Sequence, residues 1–65
     1  MNIFEKGGRV KINSELKPNV LKHYPNVNFL EADKVYIVAK VFQYGSIKLV
    51  DFESKFFHSD IFINA

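Results

Sequence analysis

The sequence predicts a mostly β domain, a single small barrel of about five antiparallel strands. The strongest indication is a pair of segments rich in Val, Ile and aromatic residues, 35–42 and 46–51, on either side of Gly45. Both segments alternate with the period of two that is typical of strands. A glycine between them suits a turn that requires a positive φ. These observations predict a central β-hairpin.

Composition sets the scale of the domain. A chain of 65 residues is long enough for one domain. Because a domain of this size buries only about 60% of its unfolded surface, its core must be dense, and the seven Phe and three Tyr supply the apolar area. The chain has no Cys, so neither a disulfide nor a thiolate metal ligand is available. The net charge of +2 is mild, and the lysines are scattered along the sequence.

Shorter elements precede the hairpin. Residues 9–12 alternate between basic and apolar side chains and predict the first strand. The long loop, residues 13–34, is less regular. Pro18 suits the first turn of a helix and Pro25 ends one, so we expect one or two helical turns over 18–24.

After the hairpin, residues 52–55 predict a turn and residues 56–57 a short strand. A single 3₁₀ turn is expected over 58–61, with Ser59 as its cap, and residues 62–63 complete the sheet. Domain 1–65 therefore has a long first loop with a short helix and a 3₁₀ turn before the last strand.

Strict alternation divides the first arm of the hairpin into two faces. One face contains Val35, Ile37, Ala39 and Val41, and the other contains Tyr36, Val38, Lys40 and Phe42. Both faces are mostly apolar, which predicts a strand that bends between two small sheets. We expect Ile37 and Leu49 to lie in the core.

This order of elements resembles the SH3-like small β-barrels that are common in bacterial and phage proteins. Residues 8–12 are similar to their Gly-x-Val-x-Val/Ile strand and residues 36–38 to their Tyr-x-Val strand. Residues 57–61 are loosely similar to their Phe-x-x-x-(Asp)-Leu/Ile element, in which the Asp is optional. The chain lacks the second glycine of a ribosomal KOW motif. Signalling SH3 domains carry an acidic, aromatic loop and a Trp, and the chain has no Trp. The resemblance therefore does not imply a groove for proline-rich peptides.

No motif in the sequence predicts catalysis or a metal site. His58, Ser59 and Asp60 have the residue types of a nucleophilic triad, but adjacent residues cannot converge in that geometry, so a capping turn is expected. The two histidines lack the spacing of metal ligands. Carboxylates that fall in turns are expected to be solvated, and these are Glu31, Asp51 and Glu53. We therefore expect a non-enzymatic protein without a catalytic residue, metal or cofactor.

Two surfaces are candidates for binding. Polar and aromatic side chains of the long loop suit adaptable contacts with a protein, and these are Lys22, His23, Tyr24, Asn26 and Asn28. Interleaved basic and aromatic side chains near the hairpin suit nucleic acid instead, and these are Arg9, Lys11, Tyr36, Lys40, Phe42, Tyr44 and Lys48. An alternative for the second set is that its aromatic members fill the barrel while its lysines keep the surface solvated.

The preferred hypothesis is a small module that docks on a partner protein, such as a phage or mobile-element accessory protein that modulates a bacterial enzyme. Pairing of two copies through a sheet edge is a related hypothesis. The alternative is a nucleic-acid-binding small barrel with a basic and aromatic sheet face. The sequence has neither the apolar core of a signal peptide nor a membrane-spanning stretch, so we expect a cytoplasmic protein with no membrane partner.

Overall fold

The computed structural model describes residues 4–65, and this part of the chain is mostly β. The strands are β1 (Arg9–Ile12), β2 (Tyr36–Val41), β3 (Ser46–Leu49), β4 (Phe57–His58) and β5 (Phe62–Asn64). They form one antiparallel sheet of five strands in the order β4-β3-β2-β1-β5. The helical elements are α1 (Pro18–Leu21) and 3₁₀ turns at Val27–Phe29, Val50–Phe52 and Ser59–Ile61. The predicted mostly β class is confirmed.

The sheet is open. Strands β4 and β5 are its outer members, and they do not pair with each other. The 3₁₀ turn Ser59–Ile61 connects these two short strands, and the backbone N–H of Asn13 donates to the Ile61 carbonyl at 2.8 Å. The described residues thus form one open sheet, and the closed barrel that the sequence predicts is not seen.

The predicted central hairpin is confirmed. The backbone N–H of Phe42 donates to the Ser46 carbonyl at 2.9 Å and closes the turn between β2 and β3. Gly45 has a φ of 80°, a conformation that a side chain resists. The Gly45 carbonyl accepts a hydrogen bond of 2.7 Å from the N–H of Ser59, so the hairpin turn is fixed to the connection between β4 and β5.

A β-bulge in β2 changes which side chains face the core. Val38 lies opposite Leu49, whereas Lys40 lies opposite Lys48, so Ala39 is an extra residue in β2. Beyond the bulge, Val41 lies opposite the buried Ile47. Side chains of directly opposite residues project from the same side of a sheet, so the bulge places Lys40 on the side away from the core.

This bulge corrects the predicted division into two faces. Strict alternation grouped Lys40 and Phe42 with Tyr36 and Val38. The structure buries Tyr36 and Val38 but leaves Lys40 exposed and Phe42 half-buried. An extra residue shifts the alternation by one position, so the two halves of β2 follow different patterns.

The core lies on one side of the sheet and is entirely hydrophobic among the described residues. Its members are Phe4, Val10, Tyr36, Val38, Ile47, Leu49, Phe57, Ile61 and Phe62. Leu49 is fully buried as predicted. Ile37 is 38% exposed, so the prediction that it belongs to the core is wrong. Its neighbours Tyr36 and Val38 occupy the inward positions of β2, and Ile37 must therefore point outward.

The long loop covers the core. Apolar side chains along it pack against the buried cluster, and these are Leu16, Leu21, Tyr24, Val27 and Leu30. The predicted helix is confined to Pro18–Leu21, and a 3₁₀ turn over Val27–Phe29 follows it. The turn begins after Asn26, whose φ of 64° lies in the left-handed region. Asparagine tolerates this conformation better than most residues.

Within residues 4–65, no helix has both the length and the apolar character needed to cross a membrane.

Candidate binding face

Two lysines and two phenylalanines form a cluster on the side of the sheet away from the core, here called the outer face. The Lys40 ammonium lies 5.0 Å from the ring centroid of Phe42, and the Lys48 ammonium lies 4.8 Å from that of Phe56. The two rings contact each other with 5.3 Å between centroids and a tilt of 53°. We call these four residues the Lys–Phe cluster.

The local sequence places each member of the cluster on the outer face. The bulge at Ala39 turns Lys40 outward, and Phe42 follows it at the spacing of residues that share a face. Lys48 lies between the buried Ile47 and Leu49, so it also points outward. Phe56 precedes the buried Phe57 and is 49% exposed.

Positive charge on the outer face continues onto β1. Arg9 and Lys11 flank the buried Val10, with Arg9 opposite Ile37 and Lys11 opposite Ile63. The face therefore combines four cationic side chains with apolar ones.

Lys40 and Lys48 lack an acidic partner in the described part of the chain. The Lys34 ammonium, by contrast, lies 3.6 Å from the Glu31 carboxylate. Like charges directly opposite each other on neighbouring strands destabilise a sheet. The contacts with the rings of the cluster offset part of that repulsion, because a cation is attracted to the face of an aromatic ring.

Two aromatic residues that the sequence assigns to this face lie elsewhere. Tyr36 is 1% exposed, and its hydroxyl accepts a hydrogen bond of 2.8 Å from the Glu31 N–H, so its ring cannot stack on an external ligand. Tyr44 lies in the turn of the hairpin and is 90% exposed. It makes no ring contact with another aromatic side chain of residues 4–65.

The structure adds Phe56 to the face. The sequence analysis does not include it, because residues 56–57 predict a short strand with no assigned sides. The alternation of side chains in a strand could have predicted that Phe56 is exposed. Two consecutive phenylalanines in a strand must point to opposite sides, so burial of Phe57 exposes Phe56.

The long loop uses two of its predicted binding residues for internal contacts. The Tyr24 ring lies 5.1 Å from the His58 ring, and the Asn26 side-chain amide donates to the Phe56 carbonyl at 2.8 Å. Lys22, His23 and Asn28 are exposed. The structure thus separates the five loop residues into an inner pair and an outer three.

His58 and Asp60 are arranged as a cap. The N–H of Asp60 donates to His58 Nδ1 at 3.2 Å, so the His58 side chain, rather than the predicted Ser59, caps the 3₁₀ turn. Within residues 4–65, no group of three His, Asp or Glu side chains is arranged to hold a metal ion.

Comparisons of the chain with protein-family models, curated proteins and solved structures give no match.

Proposed function

We propose that this chain is a non-enzymatic binding module and that its outer face binds nucleic acid. One observation supports the proposal above others: Lys40 and Lys48 lie opposite each other, beside two phenylalanine rings, without a neighbouring ion-paired carboxylate in the described residues. A surface that served only to solvate the sheet would not need this unfavourable pairing. Phosphates would neutralise both ammonium groups and relieve the repulsion.

The proposed architecture is an SH3-like small barrel whose sheet remains open. It is supported by the order of elements along the chain: a short strand, a long loop, a central hairpin and a 3₁₀ turn before the last strand. In this arrangement the long loop covers the core on one side and leaves the outer face uncovered.

Salt dependence of binding tests the proposed function. Fluorescence anisotropy with labelled generic oligonucleotides should show binding at low salt that weakens steeply as salt is raised. Lys40→Glu should abolish most of this binding. Lys22→Glu is the matched control, because it makes the same change in net charge on the exposed loop and should preserve binding. An absence of binding at low salt would overturn the proposal.

Docking on a partner protein is the second candidate function. It is favoured by apolar side chains that the loop leaves exposed, Val20 at 38% and Phe29 at 45%, close in sequence to the exposed Lys22, His23 and Asn28. A phage or mobile-element protein that modulates a bacterial enzyme would use such a surface. Affinity capture from the native host, with and without nuclease treatment, separates this function from the first. If a protein is still captured after nuclease treatment but is not captured by the Phe29→Ser variant, the result would favour a protein partner.

Pairing of two copies through a sheet edge receives less support. The outer strands β4 and β5 contain two and three residues. Edges this short offer few backbone groups for strand addition. Analytical ultracentrifugation at several protein concentrations would detect a dimer directly.

A further inference from the structure

The Lys–Phe cluster indicates which form of nucleic acid the outer face accepts, an inference that rests on the proposed function. We propose that the ligand is a single strand, with one backbone phosphate between Lys40 and Lys48 and one base stacked on Phe56. The phosphate contact and the base contact each have their own experimental signature.

The phosphate position follows from the strand register. Lys40 and Lys48 are Cα partners on neighbouring strands, and both side chains project from the outer face. Each ammonium group is held near an aromatic ring, at 5.0 Å from Phe42 and 4.8 Å from Phe56. An anion between the two strands would accept hydrogen bonds from both ammonium groups, each of which has three donors.

The base position follows from ring exposure. Phe56 is 49% exposed although it contacts both the Phe42 ring and the Lys48 ammonium. Its backbone is fixed by the Asn26 side chain, which donates to the Phe56 carbonyl at 2.8 Å. A ring that is both exposed and held in place is a suitable stacking surface for a base, and such stacking tolerates different sequences.

A single strand fits this arrangement better than a duplex. Stacking on Phe56 requires an unpaired base whose face is accessible, whereas the bases of a duplex stack on one another. Recognition of duplex DNA commonly places a helix in the major groove, and the α-helix of residues 4–65 is four residues long and lies in the long loop. The other cations of the outer face, Arg9 and Lys11 on β1, would contact further phosphates of the same strand.

Affinities for short oligothymidylate, measured over a range of salt, test the two contacts independently. Lys40 and Lys48 contact the same phosphate, so the double variant Lys40→Gln/Lys48→Gln should reduce the slope of log affinity against log salt by about 0.7. Each single variant should reduce the slope by less than the double variant does. Phe56→Leu should weaken binding by about tenfold at every salt concentration and leave the slope unchanged. Matched controls are Lys22→Gln for charge and Phe29→Leu for an exposed ring, and neither should change binding. Circular dichroism on each variant confirms that it is folded.

Competition experiments identify the ligand class. Oligothymidylate should compete more strongly than a duplex of matched length, heparin or vesicles of anionic phospholipid. Equal competition by the duplex, or an unchanged affinity of Phe56→Leu, would overturn the single-strand inference while nucleic-acid binding itself stands. Equal competition by heparin or vesicles would overturn both, because it would indicate a surface that binds any polyanion. Failure to bind any oligonucleotide at low salt would overturn both the inference and the proposed function.

Discussion

The side-chain amide of Asn26 donates a hydrogen bond to the backbone carbonyl of Phe56, with 2.8 Å between the nitrogen and the oxygen. The two residues are 30 positions apart in the sequence. This bond ties the long loop to the segment that precedes β4 and fixes the backbone of a residue in the Lys–Phe cluster. The loop therefore supports the candidate binding face from the side, whether or not it also binds a partner of its own.

Substitution of Asn26 should destabilise the fold. Asn26→Gly preserves access to the φ of 64° but removes the amide, and loss of one hydrogen bond should cost about 1 kcal/mol. Asn26→Ala should cost more than Asn26→Gly, because alanine also loses the hydrogen bond and tolerates the left-handed conformation less well than asparagine or glycine. Urea denaturation measures both. Equal stability of all three proteins would show that neither the bond nor the backbone conformation contributes.

The two sides of the sheet should differ in their sensitivity to truncation. Leu49→Ala removes a fully buried side chain and should lower the free energy of unfolding by about 2–5 kcal/mol. Ile37→Ala, on the outer face and 38% exposed, should cost less than half as much. Thermal and urea unfolding of the two variants give the comparison. A larger loss for Ile37→Ala would contradict the assignment of the core side.

Gly45→Ala should destabilise the hairpin turn through backbone strain alone. Its φ is 80°, and an added Cβ would lie 3.6 Å from Ser59 Oγ, an ordinary van der Waals distance. The expected cost is about 1–2 kcal/mol. Gly45→Asn is the matched variant and should cost less, because asparagine tolerates positive φ. Urea midpoints that do not differ between these two variants would rule out backbone strain as the cause.

Charge reversal at Lys48 should stabilise the sheet while it weakens binding. Lys48→Glu replaces a pair of like charges with a pair of opposite charges facing Lys40, a change that favours the fold by about 0.2–1 kcal/mol, and loss of the contact with the Phe56 ring offsets part of this gain. The gain should shrink as salt rises. Lys48→Gln, which only removes the charge, should have a stability between those of the wild type and Lys48→Glu. Stability and oligonucleotide affinity are measured on the same samples, and loss of both together would indicate that Lys48 has a structural role.

Much of the fold could be predicted from the sequence because local patterns specify it. The alternation of residues 9–12 predicts β1, and the apolar segments around Gly45 predict β2 and β3. Pro18 marks the start of α1. These signals depend on backbone preferences and on side-chain spacing within a few residues, and both are visible in the chain itself.

The candidate binding face could be predicted only in part. The interleaving of basic and aromatic residues predicts Lys40, Phe42 and Lys48, and the structure brings them together. Tyr36 was grouped with them by strict alternation, but it lies in the core. Phe56 comes from another strand region and joins the cluster only through the pairing of β3 with β4.

The sequence by itself determined the β class, the central hairpin and the positions of its turns, because each depends on residues close together in the chain. The tertiary structure decided which side chains in each half of β2 face the core and which lie on the outer face. That choice depends on the register between β2 and β3, where one extra residue at Ala39 shifts the alternation. Register is set by pairing between strands and by burial of one face. The placement of Lys40 and Phe42 on the outer face therefore depends on how β2 pairs with β3.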